Sequence, residues 1–197
     1  MSTLFDDVSR RFAIGQEAAP SELWIDPRIH AIETFKPAAV LITLTERPRP
    51  GMLLLHRPST MRAHPGQIAF PGGRLDPGET AVEGALREAH EELGIHPKDV
   101  QVIGTSDLYR TGSGYEITPV IGVIPPDLPI VPNPAEVAQW FEAPAEFVLD
   151  PANQKTKWIE AEGARHAFVE ITWYDHRIWG VTGAILHNLA RRLNWND

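Results

Sequence analysis

The order of apolar segments along the chain predicts an α/β fold in which helices sandwich a mixed sheet. Three observations support this prediction. Strand-like runs stand on both sides of a central amphipathic helix, a second such helix ends the chain, and turns rich in Pro or Gly separate the segments. The 197 residues, 43% of them hydrophobic, suit one globular domain with a full core.

The N-terminal part of the chain predicts a short helix followed by a wrapping segment. Leu4, Val8 and Phe12, with Phe5 beside them, recur at helical spacing and mark one apolar side. Residues 15–37 are interrupted by prolines and weakly patterned, so we expect them to run over the surface. Apolar runs then predict strands in "AAVLITLTE" and "GMLLLHR", which a turn-like "RPRPG" separates, and in the short "IAF".

The central helix is predicted to begin near Thr80 and to end before Gly94. Glu79, Thr80 and Glu83 place carboxylate and hydroxyl groups at the first turn, where they suit the free N–H groups and the helix dipole. Gly94 fits the position after the last helical residue, where a left-handed backbone conformation ends many helices.

Beyond this helix the pattern predicts further strands and a terminal helix. "VQVIGTSDLY" and "YEITPVIGVI" are predicted to pair around "RTGSG", and "KTKWIE" and "RHAFVEITW" to form a hairpin across "AEGA". "AEVAQWFEAPAEFVL" predicts a strand that runs into a short helix. "GVTGAILHNLARRL" predicts an amphipathic helix with a C-terminal charge pattern. The aromatic residues of this half are expected in the core or at an interface, which is compatible with a homodimer.

Composition excludes several classes of function. A net charge of −8 disfavours a broad nucleic-acid-binding surface, because phosphate backbones require a basic face. The absence of Cys excludes disulfides, thiolate zinc sites and cysteine catalysis. No apolar run approaches the ~18 residues of a membrane span, and the N-terminus lacks the apolar core of a secretory signal. We therefore expect a soluble cytoplasmic protein that binds neither nucleic acid nor membrane.

Three glutamates cluster on the central helix. Glu88, Glu91 and Glu92 fall within roughly 100° of arc, because successive helical residues turn by ~100°. Two interpretations remain open: a solvated acidic face, in which Arg87 pairs with one glutamate, or a site where the carboxylates converge on a cation. Hard oxygen ligands at this spacing suit Mg²⁺ or Mn²⁺ and fit zinc poorly.

The residues around this cluster resemble a family motif. They reproduce the spacing of the Nudix box, G-x5-E-x7-R-E-U-x-E-E-x-G-U, and a chance match has odds on the order of 10⁻⁹ per starting position. The one departure is Ala89, where the family usually has a larger aliphatic residue. The chain thus resembles a Nudix hydrolase from about Pro37 to Leu193. The matching residues are Gly73, Glu79, Arg87, Glu88, Glu91, Glu92, Gly94 and Ile95.

The resemblance implies a fold, an activity and a set of metal ligands. The fold is an α/β/α sandwich with a loop–helix–loop catalytic motif, which we expect in a domain over residues 37–195 preceded by the segment 1–36. The activity is hydrolysis of a nucleoside diphosphate linked to another group. The implied catalytic and metal-binding residues are Glu88, Glu91 and Glu92, with the carbonyl group of Gly72 or Gly73 as a further ligand.

Supporting residues and a catalytic base also follow from the resemblance. Glu79 and Arg87 are expected to pair and to hold the loop against the helix. One glutamate is expected to act as the base. Glu91 is a candidate for this role, and the alternatives are Glu116, Glu136 and Glu170.

The stretch before the box resembles a second motif. "LLLHRPSTMRAHPGQIAFPGG" is similar to L-L-T-x-R-[SA]-x3-R-x3-G-x3-F-P-G-G, which occurs in Nudix enzymes that cleave coenzyme A, and it departs at Leu55 and Pro58. Coenzyme A carries a diphosphate and a 3′-phosphate, and guanidinium groups bind phosphates well. The candidate substrate-binding residues are Arg57, Arg62, His64 and Gln67.

Three hypotheses for function follow. The first is Mg²⁺- or Mn²⁺-dependent hydrolysis of coenzyme A, or its acyl or oxidised derivatives, to 3′-phospho-AMP and 4′-phosphopantetheine. The second keeps the reaction but takes ADP-ribose, a dinucleoside polyphosphate or a nucleoside triphosphate as substrate. The third is a catalytically silent nucleotide-sensing or scaffold module, which the three retained carboxylates disfavour.

Overall fold

The computed structural model describes residues 3–17, 23–60, 65–161 and 163–195. The α-helices within these residues are α1 (Leu4–Glu17), α2 (Ala81–Leu93), α3 (Ala145–Val148) and α4 (Gly180–Leu193). The strands are β1 (Lys36–Thr45), β2 (Gly51–His56), β3 (Ile68–Ala69), β4 (Gly72–Arg74), β5 (Gln101–Thr105), β6 (Tyr109–Arg110), β7 (Tyr115–Ile124), β8 (Gln139–Pro144), β9 (Lys155–Ala161), β10 (Ala164–Trp173) and β11 (His176–Trp179).

The large sheet is built around β1 and β7, which pair in parallel along their whole length. Its strand order is β3-β2-β1-β7-β5, and the β1/β2 and β5/β7 pairs are antiparallel. The predicted mixed sheet is therefore confirmed. The sequence does not predict β4, a three-residue strand that pairs antiparallel with β1 and places Gly72 and Gly73 beside α2.

Helices cover both faces of this sheet. Leu41 of β1 lies in a buried cluster with Ala89 of α2, whereas the next residue, Ile42, lies in a second cluster with Val8 of α1 and Leu186 of α4. Neighbouring residues of a strand face opposite sides, so α2 packs on one face and α1 and α4 pack on the other. No helix in the described part of the chain is long and apolar enough to cross a membrane.

The central helix has the caps that the sequence predicts. Thr80 accepts a hydrogen bond from the Glu83 N–H, and the Glu83 side chain accepts one from the Thr80 N–H, which completes a capping box. Gly94 ends the helix in the left-handed conformation, with φ of 71°. The caps fix the first and last turns of α2 and therefore the position of the glutamates between them.

A three-stranded antiparallel sheet forms from the predicted β9–β10 hairpin and β11. The sequence does not predict β11 as a separate strand. Trp158 of β9 lies outside the core, with 54% of its surface exposed. Ile178 of β11 and Val169 of β10 are buried in the same cluster as α4, which attaches this small sheet to the domain.

Arg192 belongs to the predicted charge pattern in the last turn of α4, and its side chain is buried. It is 7% exposed, and its Nε and Nη2 donate to Asp107 at 2.7 and 2.6 Å. Its Nη1 donates to the Gly15 carbonyl oxygen at 2.7 Å. The two terminal helices are in close contact there, since a Cβ atom at Gly15 would lie 1.7 Å from the Arg192 carbonyl oxygen.

Candidate functional site

Glu88 and Glu92 lie one turn apart on the side of α2 that meets β4. The Gly72 N–H donates to Glu92 Oε2 at 2.9 Å, and Glu92 is 4% exposed. A Cβ atom at Gly73 would lie 2.3 Å from Glu88 Oε1, and one at Gly72 would lie 2.4 Å from the Ala39 carbonyl oxygen. Gly72 therefore allows β4 to lie close to the backbone of β1, and Gly73 leaves room for the Glu88 carboxylate.

The surroundings of these two carboxylates oppose their ionisation. Burial raises the pKa of Glu92 to about 8, and burial also raises the pKa of Glu88. The anionic side chains of Glu88 and Glu136 raise the pKa of Glu92 further, while the Gly72 N–H and Arg57 lower it. A cation placed beside Glu92 would reverse this effect, because it would favour the charged form.

Arg87 holds the loop against the helix, as the sequence predicts. Its Nε and Nη2 donate to the Glu79 carboxylate at 2.9 and 3.1 Å, and Nη2 also donates to the Arg74 carbonyl oxygen at 3.0 Å. Its Nη1 donates to Glu88 Oε1 at 2.9 Å and to Glu91 Oε2 at 3.1 Å. The hydrogen bond from Arg87 lowers the pKa of Glu79. One guanidinium therefore joins three carboxylates and one carbonyl group.

Glu91 differs from the other two glutamates in its surroundings. The Glu91 side chain is 50% exposed, it is bound to Arg87, and it does not line the cavity that Glu88 and Glu92 line. Arg87 stands four residues before Glu91, so its guanidinium reaches that carboxylate across one helical turn. The roles of Glu91 as ligand and base remain predictions.

A cavity of about 360 Å³ opens beside the two inner glutamates. We call it the first cavity. Arg57 and Gln67, two of the four residues predicted to bind substrate, lie on its wall, and their binding role stays a prediction. The Nε of Arg57 is buried and has no hydrogen-bond partner among the described residues. The other two predicted substrate-binding residues, Arg62 and His64, lie outside the described residues.

One of the three alternative bases lines the first cavity. Glu136, which precedes β8, is on its wall together with the inner glutamates. Glu116 accepts a hydrogen bond from Arg110 Nε at 2.8 Å, and Glu170 accepts one from Arg177 Nε. Neither of these two is part of the wall. The geometry therefore favours Glu136 over Glu116 and Glu170.

Comparison with known proteins places this architecture in a family. The model of the NUDIX domain matches residues 34–174. The chain belongs to the Nudix family. It is 43% identical over 158 residues to a protein of Enterobacter sp. (strain 638) described as "Uncharacterized Nudix hydrolase NudL", and the match covers 79% of this chain and 82% of the relative. A protein of the same description from Pectobacterium atrosepticum is 38% identical over 189 residues, which cover 93% of this chain and 96% of the relative.

A solved structure supports the fold of this Nudix hydrolase. The MutT/nudix family protein from Enterococcus faecalis superposes with a TM-score of 0.50 at 12% identity. The match covers 95% of this chain and 68% of that protein. At this level of identity the likeness shows the fold alone, and it agrees with the predicted mixed sheet between helices.

Nudix hydrolases generally use divalent metal ions. Within the described residues, no three His, Asp or Glu side chains are gathered closely enough to hold an ion. The donor set around the first cavity nonetheless fits one. Glu88 and Glu92 supply carboxylate oxygens, which Mg²⁺ and Mn²⁺ prefer as ligands, and Glu92 is buried beside other carboxylates.

Two departures from the family motifs lie in one buried cluster. Ala89 on α2 and Leu55 on β2 are both 0% exposed and belong to the cluster between helix and sheet. The residue at 89 is smaller than the motif specifies, and the residue at 55 is larger than the motif's threonine. Leu55 does not line the first cavity, so its missing hydroxyl does not bear on the substrate.

Proposed function

We propose that this Nudix hydrolase cleaves the diphosphate of coenzyme A, or of its acyl or oxidised derivatives, to 3′-phospho-AMP and 4′-phosphopantetheine. Support comes from the intact Nudix box and from the second motif directly before it, which resembles that of coenzyme A-cleaving members. The observation that carries the proposal is the buried Arg57 Nε without a partner among the described residues, on the cavity wall that Glu92 also lines.

An anion is the ligand that fits Arg57. The Arg57 guanidinium lies on the cavity wall, and its forked donors suit a phosphate oxygen, which they bind with charge-assisted hydrogen bonds. The net charge of −8 makes a local cation necessary for any anionic substrate. Coenzyme A carries phosphates at two places, the diphosphate and the ribose, so it can meet both the carboxylate side and the arginine side of the cavity.

In this proposal the residues of the first cavity have three roles: they bind the metal ion, bind the phosphate and accept a proton. Glu88 and Glu92 would hold Mg²⁺ or Mn²⁺, which when bound neutralises the diphosphate and orients the attacking water. Arg57 binds a phosphate oxygen, and Glu136 takes the proton from the water. Water adds to one phosphorus atom, the bond from that atom to the bridging oxygen breaks, and each product keeps one phosphate of the former diphosphate, while the 3′-phosphate stays on 3′-phospho-AMP.

Mass spectrometry of the products from a substrate panel tests the proposal. The panel contains coenzyme A, coenzyme A without its 3′-phosphate, ADP-ribose and a dinucleoside polyphosphate, each with Mg²⁺ and with Mn²⁺. We expect the highest kcat/KM for coenzyme A and the two named products. Cleavage of ADP-ribose without cleavage of coenzyme A would overturn the substrate assignment and favour the second hypothesis.

An Arg57→Ala variant tests the anion site. We expect kcat/KM for coenzyme A to fall about 10- to 100-fold, because a hydrogen bond to a charged group contributes about 1.5–3 kcal/mol. Arg10→Ala is the matched control, since its side chain is 69% exposed on α1 and does not line the first cavity. An unchanged kcat/KM in the Arg57 variant would contradict the assigned role.

A further inference from the structure

A second cavity of about 270 Å³ adjoins the first. The two share Gln67, Trp179 and Val181 in their walls, so they lie side by side. The second cavity lies between the N-terminal segment before β1 and the small sheet of β9, β10 and β11. Neither sequence motif includes the residues of these two elements.

One wall is a face of the small sheet that carries apolar side chains together with His166. The Arg177 guanidinium, which donates to Glu170, lies 5.8 and 4.8 Å from the centroids of the Phe168 and Trp179 rings on this face. Ile159 of β9 pairs with His166 of β10, and Trp179 of β11 pairs with Glu170 of β10. Since directly paired residues point to the same face and alternate residues share it, Ile159, Phe168 and Trp179 lie on one face. The Phe168 and Trp179 rings are in edge contact with their centroids 5.5 Å apart.

The opposite wall is the N-terminal segment, which polar contacts hold in place. The Trp24 N–H donates to Asn188 Oδ1 at 2.6 Å, and Asn188 Nδ2 donates to the Trp24 carbonyl oxygen at 3.2 Å. Asp26 accepts a hydrogen bond from the Gly112 N–H at 2.8 Å. These bonds fix the backbone on α4 and on the loop before β7. The Trp24 side chain lines the cavity and also packs against the buried core and the His187 ring.

The second cavity is electrically balanced, unlike the first. Asp26 and Arg28 both line it and form a two-point ion pair, with Arg28 Nε and Nη2 donating to the carboxylate at 2.9 and 2.7 Å. The pair contributes no net charge, and the remaining wall is mainly aromatic and aliphatic. Such a wall suits an uncharged group and offers a phosphate little.

We propose, on the basis of the function proposed above, that the second cavity binds the uncharged arm of the substrate, an aliphatic chain with amide groups such as pantetheine. The charged half, with its ribose phosphate, belongs with Arg57 in the first cavity. The uncharged half leaves the diphosphate towards Trp179 and Val181. At the boundary Gln67 offers an amide donor and acceptor to the amide groups of the chain.

Inhibition by the two half-molecules of the substrate tests this assignment. Hydrolysis of coenzyme A is measured in the presence of 4′-phosphopantetheine or of 3′-phospho-AMP, with wild type, Trp24→Ala and Ile159→Ala. We expect the inhibition constant for 4′-phosphopantetheine to rise about tenfold in both variants, because apolar contact area is lost. The inhibition constant for 3′-phospho-AMP should stay unchanged.

Trp158→Ala is the matched control, because Trp158 is also a tryptophan but is 54% exposed and does not line the second cavity. Ile159 is 45% exposed, so its variant remains informative if Trp24→Ala fails to fold. If the variants instead raise the inhibition constant for 3′-phospho-AMP, the second cavity binds the adenine half of the substrate and the inference is overturned. Unchanged inhibition constants for both half-molecules would also overturn it.

A failure of the proposed function can be distinguished from a failure of this inference. If wild-type protein does not hydrolyse coenzyme A, the substrate assignment fails, and calorimetric titration with pantetheine itself then decides the role of the second cavity. Binding that Ile159→Ala weakens about tenfold and Trp158→Ala leaves unchanged would support the inference. No binding of pantetheine to the wild type would overturn it.

Discussion

Replacing Glu92 by glutamine removes a buried titratable group and keeps the size and shape of the side chain. The amide oxygen of glutamine can still accept the hydrogen bond that the Gly72 N–H donates at 2.9 Å. Glu92 is 4% exposed, so the surrounding protein, and not solvent, determines how the substitution changes the stability of the protein. We expect Glu92→Gln to fold and to lose turnover, because a neutral amide is a poor ligand for a divalent ion.

The same substitution should make the metal-free protein more stable near neutral pH. Burial raises the pKa of Glu92 from 4.5 to about 8, so the folded chain binds a proton that the unfolded chain releases above pH 4.5. Stability is therefore lost as pH rises from 4.5 towards 8. Between pH 4.5 and pH 7, an interval of about 2.5 pH units, the free energy of unfolding falls by about 1.4 kcal/mol per unit, which amounts to about 3 kcal/mol. Glutamine does not titrate and avoids this loss.

Urea unfolding in the presence of EDTA at pH 6 and pH 7.5 measures the effect. The stability advantage of Glu92→Gln over wild type should grow by about 2 kcal/mol between the two values. Glu146→Gln serves as the control, because Glu146 is exposed on α3 and its substitution should show no such growth. An advantage independent of pH, or a variant with wild-type turnover, would refute the reasoning.

Two further substitutions test the fold, and removal of the divalent ion tests the site. Arg192→Met should lower the free energy of unfolding by about 3–5 kcal/mol, because Asp107 loses its buried cation; urea unfolding checks this, and an unchanged midpoint would contradict it. Thr80→Ala should cost about 1 kcal/mol, since the Glu83 N–H loses its acceptor, and Thr80→Ser should retain most of that energy in thermal unfolding. Chelation with EDTA should abolish hydrolysis and Mn²⁺ should restore it in a product assay, so hydrolysis that survives chelation would exclude a required divalent ion.

Helices and long strands of this chain could be predicted because their signals are local. Leu4, Val8 and Phe12 repeat at the helical period, and Thr80 and Gly94 bound α2 with the cap residues that such ends require. The parallel pairing of β1 with β7 could not be predicted, since it joins segments far apart in sequence. Strand β4 was also missed, because two of its three residues are glycines without side chains to form a pattern.

The candidate site was predictable in its residues and less so in its geometry. The spacing places Glu88 and Glu92 on one side of α2, and the structure brings both to the first cavity. The same spacing also brings Glu91 within reach of Arg87, and in the structure the arginine binds it. Sequence does not decide between such competing partners, because an arginine and a metal ion attract the same carboxylates. The second cavity was not foreseen, since its walls come from Trp24 and the small sheet.

Calorimetric titration of the metal-free protein with Mn²⁺ at pH 7, in buffers of different ionisation enthalpy, tests the central claim most directly. We expect the wild type to bind Mn²⁺ and to release protons, because the ion displaces the proton from Glu92, and we expect Glu92→Gln to show neither effect. No Mn²⁺ uptake by the wild type, or equal uptake by the variant, would contradict a metal site at Glu92.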